Sequence, residues 1–106
     1  MKMTKNELRD YLADDDVMDM LKAIDRLNPE ELPVSRLCTM KKVSDVTGLP
    51  LRDVWKKCDE GVRAGVLMYC GGMLSRRRVD LTMLGLEILD AEGTEELRKI
   101  IKGYER

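Results

Sequence analysis

The sequence of 106 residues contains no histidine and no phenylalanine, and aromatic residues make up only 4% of it. Without an imidazole there is no histidine base, no Ser–His or Cys–His nucleophile and no histidine metal site. The cysteines Cys38, Cys58 and Cys70 have neither the even number of a disulfide framework nor the paired spacing of zinc ligands. These absences predict a protein that is not an enzyme and holds no metal or cofactor.

Long apolar runs are also absent. Asp10 and the aspartates at 14–16 interrupt any apolar segment of a signal peptide. The longest stretch without charge, Ala64 to Ser75, is far shorter than the ~20 residues that span a bilayer. We therefore expect a soluble, cytoplasmic protein with no membrane partner, and free thiols fit a reducing compartment. The length and the 43% of hydrophobic residues predict a single domain over 1–106.

Charge is unevenly distributed along the chain. Residues 34–79 contain ten basic and four acidic side chains, a net charge of +6. Residues 1–33 and 80–106 have net charges of −4 and −3. A basic middle between acidic flanks is typical of a surface that faces a polyanion, with ordinary scatter of charge as the alternative.

Periodicity and capping residues predict a mostly α-helical chain with one small β-hairpin. Thr4 and Glu7 form a capping box before a helix over 5–13, and the aspartate run caps a second helix that extends to Leu27. A short strand over 35–38 precedes two helices over 40–46 and 50–64, which a turn containing Gly48 separates. Strands over 66–70 and 73–81 enclose a two-residue turn at Gly71 and Gly72. Helices over 83–90 and 94–104 follow.

This order of elements resembles a winged helix-turn-helix, and three segments have matching residues. Residues 39–50 resemble the first helix and turn of that motif, and residues 54–67 resemble its recognition helix and first wing strand. Residues 76–85 have a basic strand, then Leu-Thr, then a glycine three residues later, as in small MarR-, PadR- and ArsR-type regulators. The resemblance covers about 34–90, flanked by helices within 5–27 and 94–104. Gly61 stands where that family usually has a large aliphatic residue, so we expect thinner packing there.

The resemblance implies a sequence-specific regulator that binds double-stranded DNA as a homodimer. Its recognition helix, preceding helix and wing would supply the DNA-binding residues Arg52, Lys56, Arg63, Trp55, Lys41, Lys42, Arg76, Arg77 and Arg78. A merely solvated α-helix is the alternative for its cations, because acid-before-base pairs occur at 53 and 57 and at 59 and 63. For Trp55 we favour a position at the edge of the core.

The last helix has an apolar stripe that needs a covering surface. Its members are Leu97, Ile100, Ile101 and Tyr104. Either a second subunit covers the stripe, which makes it the dimer interface, or the helix docks on its own domain. The alternative function is a winged-helix protein–protein interaction module in a larger complex, which the apolar residues beside the hairpin turn and a pI of about 5.5 favour.

Overall fold

The computed structural model describes residues 3–28, 38–91 and 93–104, and over those residues the prediction of a mostly helical chain with a small hairpin is confirmed. The described elements are α1 (Lys5–Ala13), α2 (Asp15–Leu27), α3 (Met40–Thr47), α4 (Leu51–Ala64), β1 (Leu67–Gly71), a 3-10 turn (Leu74–Arg76), β2 (Arg78–Leu81), α5 (Met83–Asp90) and α6 (Glu95–Lys102). β1 and β2 pair antiparallel. None of the helices in the described ranges is both long and apolar enough to cross a membrane.

Capping residues set most of the helix boundaries where the sequence predicts them. Thr4 and Glu7 exchange both hydrogen bonds of a capping box at α1, and the Asp14 side chain accepts from the backbone of Asp16 at the start of α2. Gly48 ends α3 with a φ of 78°, a left-handed conformation that glycine adopts without steric cost. The helices over 5–13, 40–46 and 50–64 therefore end within one residue of their predicted limits.

An aliphatic core lies between α2 and the rest of the chain. Met20, Leu21 and Ile24 of α2 are fully buried, and Val54 and Cys58 of α4 belong to the same core. The Tyr11 hydroxyl donates to the Lys57 carbonyl at 2.6 Å, which joins α1 to α4. The α2–α4 packing thus leaves the opposite face of α4 exposed.

Gly61 is a site of close packing, and the expectation of thinner packing there is wrong. A Cβ atom at this position would lie 2.6 Å from Tyr11 Oη and 2.7 Å from Leu67 Cδ1. The side chains of α1 and β1 fill the space that an aliphatic residue at 61 would take. Glycine is therefore the residue that lets both elements approach α4.

The hairpin differs from the predicted two-residue turn. Gly71 and Gly72 both have positive φ, but the chain then forms the 3-10 turn before β2 begins at Arg78. The register steps from Tyr69 opposite Val79 to Gly71 opposite Arg78, a bulge that ends the regular pairing. The predicted strand over 73–81 is thus wrong over 73–77, because this bulge and the glycine conformations turn the chain out of the ladder.

The predicted strand at 35–38 lies outside the described residues except for Cys38. That residue and the next pair with the hairpin: the Val79 N–H donates to the Cys38 carbonyl at 3.0 Å, and Thr39 forms a bridge with Arg78. The Met40 N–H donates to the Arg77 carbonyl at 2.9 Å. These bonds hold the start of α3 against the base of the hairpin.

Candidate nucleic-acid interface

The exposed face of α4 presents three of the predicted DNA-binding residues. Val54, Cys58, Gly61 and Ala64 are buried on one side of the helix. Arg52, Lys56 and Arg63 are exposed on the other side, at spacings of four and seven residues that form one stripe. The helix thus separates a packed face from a basic face, as its sequence predicts.

Ion pairs with α1 and α2 divide the cations of α4 into two groups. Arg63 Nη2 lies 3.5 Å from Glu7 Oε2, and Lys57 Nζ lies 3.3 Å from Asp14 Oδ2. Neither basic residue pairs with the acid four positions before it within the helix. Arg52 and Lys56 form no ion pair with any described residue. The cations of α4 without an ion-pair partner among the described residues therefore lie in its first half.

The carboxylates of Glu7 and Asp14, which form these ion pairs with α4, are stabilised in their charged forms. The Thr4 N–H and hydroxyl are the main causes of a lowered pKa at Glu7, and Arg63 adds to them. At Asp14 partial burial opposes ionisation, but the backbone N–H of Asp16 and the Lys57 ammonium bring the pKa below its usual value. Both carboxylates therefore stay negative at neutral pH beside the cations that they neutralise.

Lys41 and Lys42 lie exposed in the first turn of α3, as predicted. Lys41 Nζ is 3.7 Å from Asp45 Oδ1 in a pair between two exposed side chains. Such a surface pair contributes only about 0–1 kcal/mol, so it leaves Lys41 available to a stronger anion. Lys42 has no ion-pair partner among the described residues.

Trp55, Tyr69 and Arg77 form a cluster between α4 and the hairpin, here called the Arg77 cluster. The two rings lie 6.2 Å apart and tilted by 49°. Arg77 Cζ lies 5.5 Å from the Trp55 ring centroid and 4.8 Å from that of Tyr69. The Tyr69 hydroxyl donates to Asp59, and burial together with that carboxylate raises the pKa of Tyr69. Trp55 thus lies half-buried at the edge of the core, the position that the sequence analysis favoured.

The three consecutive arginines do not act as one surface. Arg76 is exposed on the 3-10 turn, whereas Arg77 stacks in its cluster. Arg78 is half-buried, and its Nη2 donates to the Cys70 carbonyl at 3.3 Å. Arg76 lies outside β2, which begins only at Arg78, and not within the strand that the sequence predicts over 73–81. Arg76 is the exposed member of the run, whereas Arg77 and Arg78 are half-buried.

The tip of the hairpin is apolar and exposed. The side chains of Met73 and Leu74 are each 77% exposed. Leu74 also has a φ of 54°, in the left-handed region that a branched residue adopts only at a steric cost. This exposed apolar pair between β1 and β2 is the feature that favours a protein–protein interaction module.

The apolar stripe of the last helix packs on its own domain. Tyr104 is buried and its hydroxyl donates to the Ala64 carbonyl, which joins the end of the chain to α4. Leu97, Ile100 and Ile101 are half-buried against the core. Of the two alternatives, the structure contains the intramolecular one, and dimerisation through the remaining exposed edge stays a prediction.

Sequence reasoning missed Tyr69, which links α4 to the hairpin. The sequence signal for Tyr69 is its position two residues after the buried Leu67 on a strand, where alternation puts both side chains on one face.

Among the described residues there is no group of three potential metal ligands. No family model, curated protein or solved structure matches this chain. The side chains that the candidate interface offers to a ligand are therefore the exposed cations of α3, α4 and the 3-10 turn.

Proposed function

We propose that the protein is a winged-helix transcriptional regulator that binds double-stranded DNA sequence-specifically as a homodimer. The observation that supports this most is the first half of α4, where Arg52 and Lys56 are exposed and have no ion-pair partner among the described residues. Two like charges four residues apart on one helix face repel each other in the free protein. Phosphates or base edges of DNA would relieve that repulsion.

The arrangement of elements supports α4 as the recognition helix. The chain α3, Gly48 turn, α4 has the order of a helix-turn-helix, and the β1–β2 hairpin follows it as a wing. In such motifs the N-terminal half of the second helix enters the major groove. On this model Arg52 and Lys56 contact base edges, while Lys42 and Arg76 contact backbone phosphates.

A competition experiment with duplex DNA tests the specificity. A best site is selected from random duplexes, and its affinity relative to competitor DNA is measured for the protein and for Arg52→Gln. The loss of a bidentate base contact should reduce the preference by ~1–3 kcal/mol. Lys99→Gln, which removes an exposed charge on α6, is the matched control and should keep the preference. An unchanged preference in Arg52→Gln would remove its role in base contact.

A protein–protein interaction module is the second candidate, and the exposed apolar pair Met73 and Leu74 favours it. A sequence-specific DNA contact through the wing is normally polar, whereas large exposed apolar side chains are typical of protein interfaces. This candidate predicts that the purified protein shows no salt-dependent affinity for any duplex. It also predicts that Leu74→Ser abolishes partner binding without changing the fold.

A further inference from the structure

A groove of about 470 Å³ lies between α1 and α6, on elements that the proposed DNA surface does not use. Its described lining consists of four cations and one apolar residue: Lys5, Arg9, Arg98, Lys102 and Ile101. Each helix contributes two cations four residues apart, a spacing at which like charges on one face repel. The two helices therefore bring four positive charges together in a chain whose net charge is −1.

Three other grooves in the described part of the chain are lined by carboxylates as well as cations. The groove between α1, α2 and α4 has three cations and four carboxylates in its lining. The groove at α2 and α5 has two of each, and the groove at α5 and α6 has one of each. No carboxylate lines the groove between α1 and α6 within the described ranges. Among these four grooves of the described residues, the excess of positive charge is found in the one between α1 and α6.

Local ion pairing leaves Arg9, Lys102 and, in a screened pair, Arg98 of this groove accessible to an anion. Arg98 Nη1 lies 3.2 Å from Glu95 Oε1, but both side chains are about four-fifths exposed. Water and salt screen such a pair, so a multiply charged anion competes with it readily. Arg9 and Lys102 are exposed and have no ion-pair partner among the described residues.

We propose that this groove is a binding site for a polyphosphate group, either inorganic or part of a nucleotide. Guanidinium groups bind phosphoryl oxygens in a bidentate manner, and lysine ammonium groups add point charges. A di- or triphosphate, with about three to four negative charges near neutral pH, can contact Arg9, Arg98 and Lys102 at once. Ile101 and the aliphatic stems of the cations give one apolar wall, which suits the sugar or base of a nucleotide.

Binding here also has a structural consequence. A ligand that contacts Arg9 and Lys102 at once bridges α1 and α6, so it stabilises the docked position of the last helix. Ligands that bind only the folded state raise the melting temperature with concentration. The site is independent of the proposed DNA surface, and neither proposal requires the other.

Isothermal titration of the full chain with sodium tripolyphosphate, at constant ionic strength, tests the site. We expect saturable binding, a higher melting temperature, and binding of orthophosphate at least about tenfold weaker because it pairs with fewer cations. Arg9→Gln with Lys102→Gln should weaken tripolyphosphate about tenfold or more, since two charge-assisted contacts are lost. Lys22→Gln with Arg26→Gln is the matched control, because it also removes one lysine and one arginine, but from a groove that carboxylates line.

The outcomes separate the possibilities. No saturable heat, or equal weakening in the groove variant and the control, overturns the proposal in favour of diffuse charge attraction. Single substitutions Arg9→Gln and Lys102→Gln, each tested by circular dichroism, keep the test valid if the double variant misfolds. Titration with ATP distinguishes the sources: tighter binding than tripolyphosphate identifies a nucleotide site, and weaker binding identifies an inorganic polyphosphate site. A duplex-binding defect in the groove variant would assign the groove to the DNA surface and overturn a separate site.

Discussion

Replacing Arg77 by glutamine tests whether this residue holds the hairpin against α4. Its guanidinium lies 5.5 Å from the Trp55 ring centroid and 4.8 Å from the Tyr69 ring centroid. Each cation–π contact at a partly exposed site is worth about 0.5–1 kcal/mol, so losing both should destabilise the fold by about 1–2 kcal/mol. In a domain of this size that lowers the melting temperature by about 4–8 °C for each kcal/mol.

Urea denaturation followed by circular dichroism measures the effect, with Arg76→Gln as the matched control. Arg76 is the neighbouring arginine and is exposed, so its replacement should change stability by no more than about 0.5 kcal/mol. For duplex DNA we expect the larger effect in the control: Arg76→Gln should weaken the affinity for DNA while its free energy of unfolding stays unchanged. Equal unfolding midpoints for the two variants would refute the positioning role of Arg77 and return it to the set of phosphate contacts.

Three further predictions concern packing, thiol reactivity and the pH dependence of stability. Gly61→Ala should destabilise the fold by about 1–3 kcal/mol because its Cβ overlaps two side chains. Gly103→Ala is the control and should change thermal stability little, because a Cβ there has only ordinary contacts. Equal melting temperatures of the two variants would contradict this packing. Burial raises the pKa of Cys38 and Cys58 to about 12, so at pH 8 a disulfide reagent should modify the exposed Cys70 first and the other two only on unfolding. Because those two thiols lose protons more easily when unfolded, stability should fall as pH rises from about 9 towards 12; a flat profile over that range would contradict the buried environment.

Local signals account for the parts of the fold that the sequence predicted correctly. Caps such as Thr4, Asp14 and Thr39 satisfy backbone N–H groups within three residues, so they act without tertiary context. Gly48 and Gly65 end helices by the left-handed conformation alone. The helix limits were predictable for this reason.

The errors lie where distant residues decide the conformation. Gly61 has the appearance of a packing defect in the sequence, yet Tyr11, 50 positions away, occupies the space beside it. The hairpin turn was misplaced because two consecutive glycines permit several turn types. In the structure the chain before β2 is held by Arg77, whose partners Trp55 and Tyr69 lie on other elements.

The candidate site was predictable by residue type and less so by geometry. Helical spacing places Arg52 and Lys56 on one exposed face, as found. Spacing within α4 also predicts that Lys57 and Arg63 pair inside the helix, but Glu7 and Asp14 of other elements neutralise them. Which cations remain available is a property of the tertiary fold.

The salt dependence of duplex affinity tests the central claim most directly. Four exposed cations, Lys42, Arg52, Lys56 and Arg76, would each neutralise a phosphate or lie against a base edge on the proposed surface. Each neutralised phosphate contributes a slope of about −0.9 to log K against log salt, so we expect about −2 to −4 per protomer. Arg76→Gln with Lys42→Gln should reduce the slope by about 2 per protomer, and Arg9→Gln with Lys102→Gln should leave it unchanged. An affinity that does not depend on salt, or the same slope in all three proteins, would contradict DNA binding through this surface.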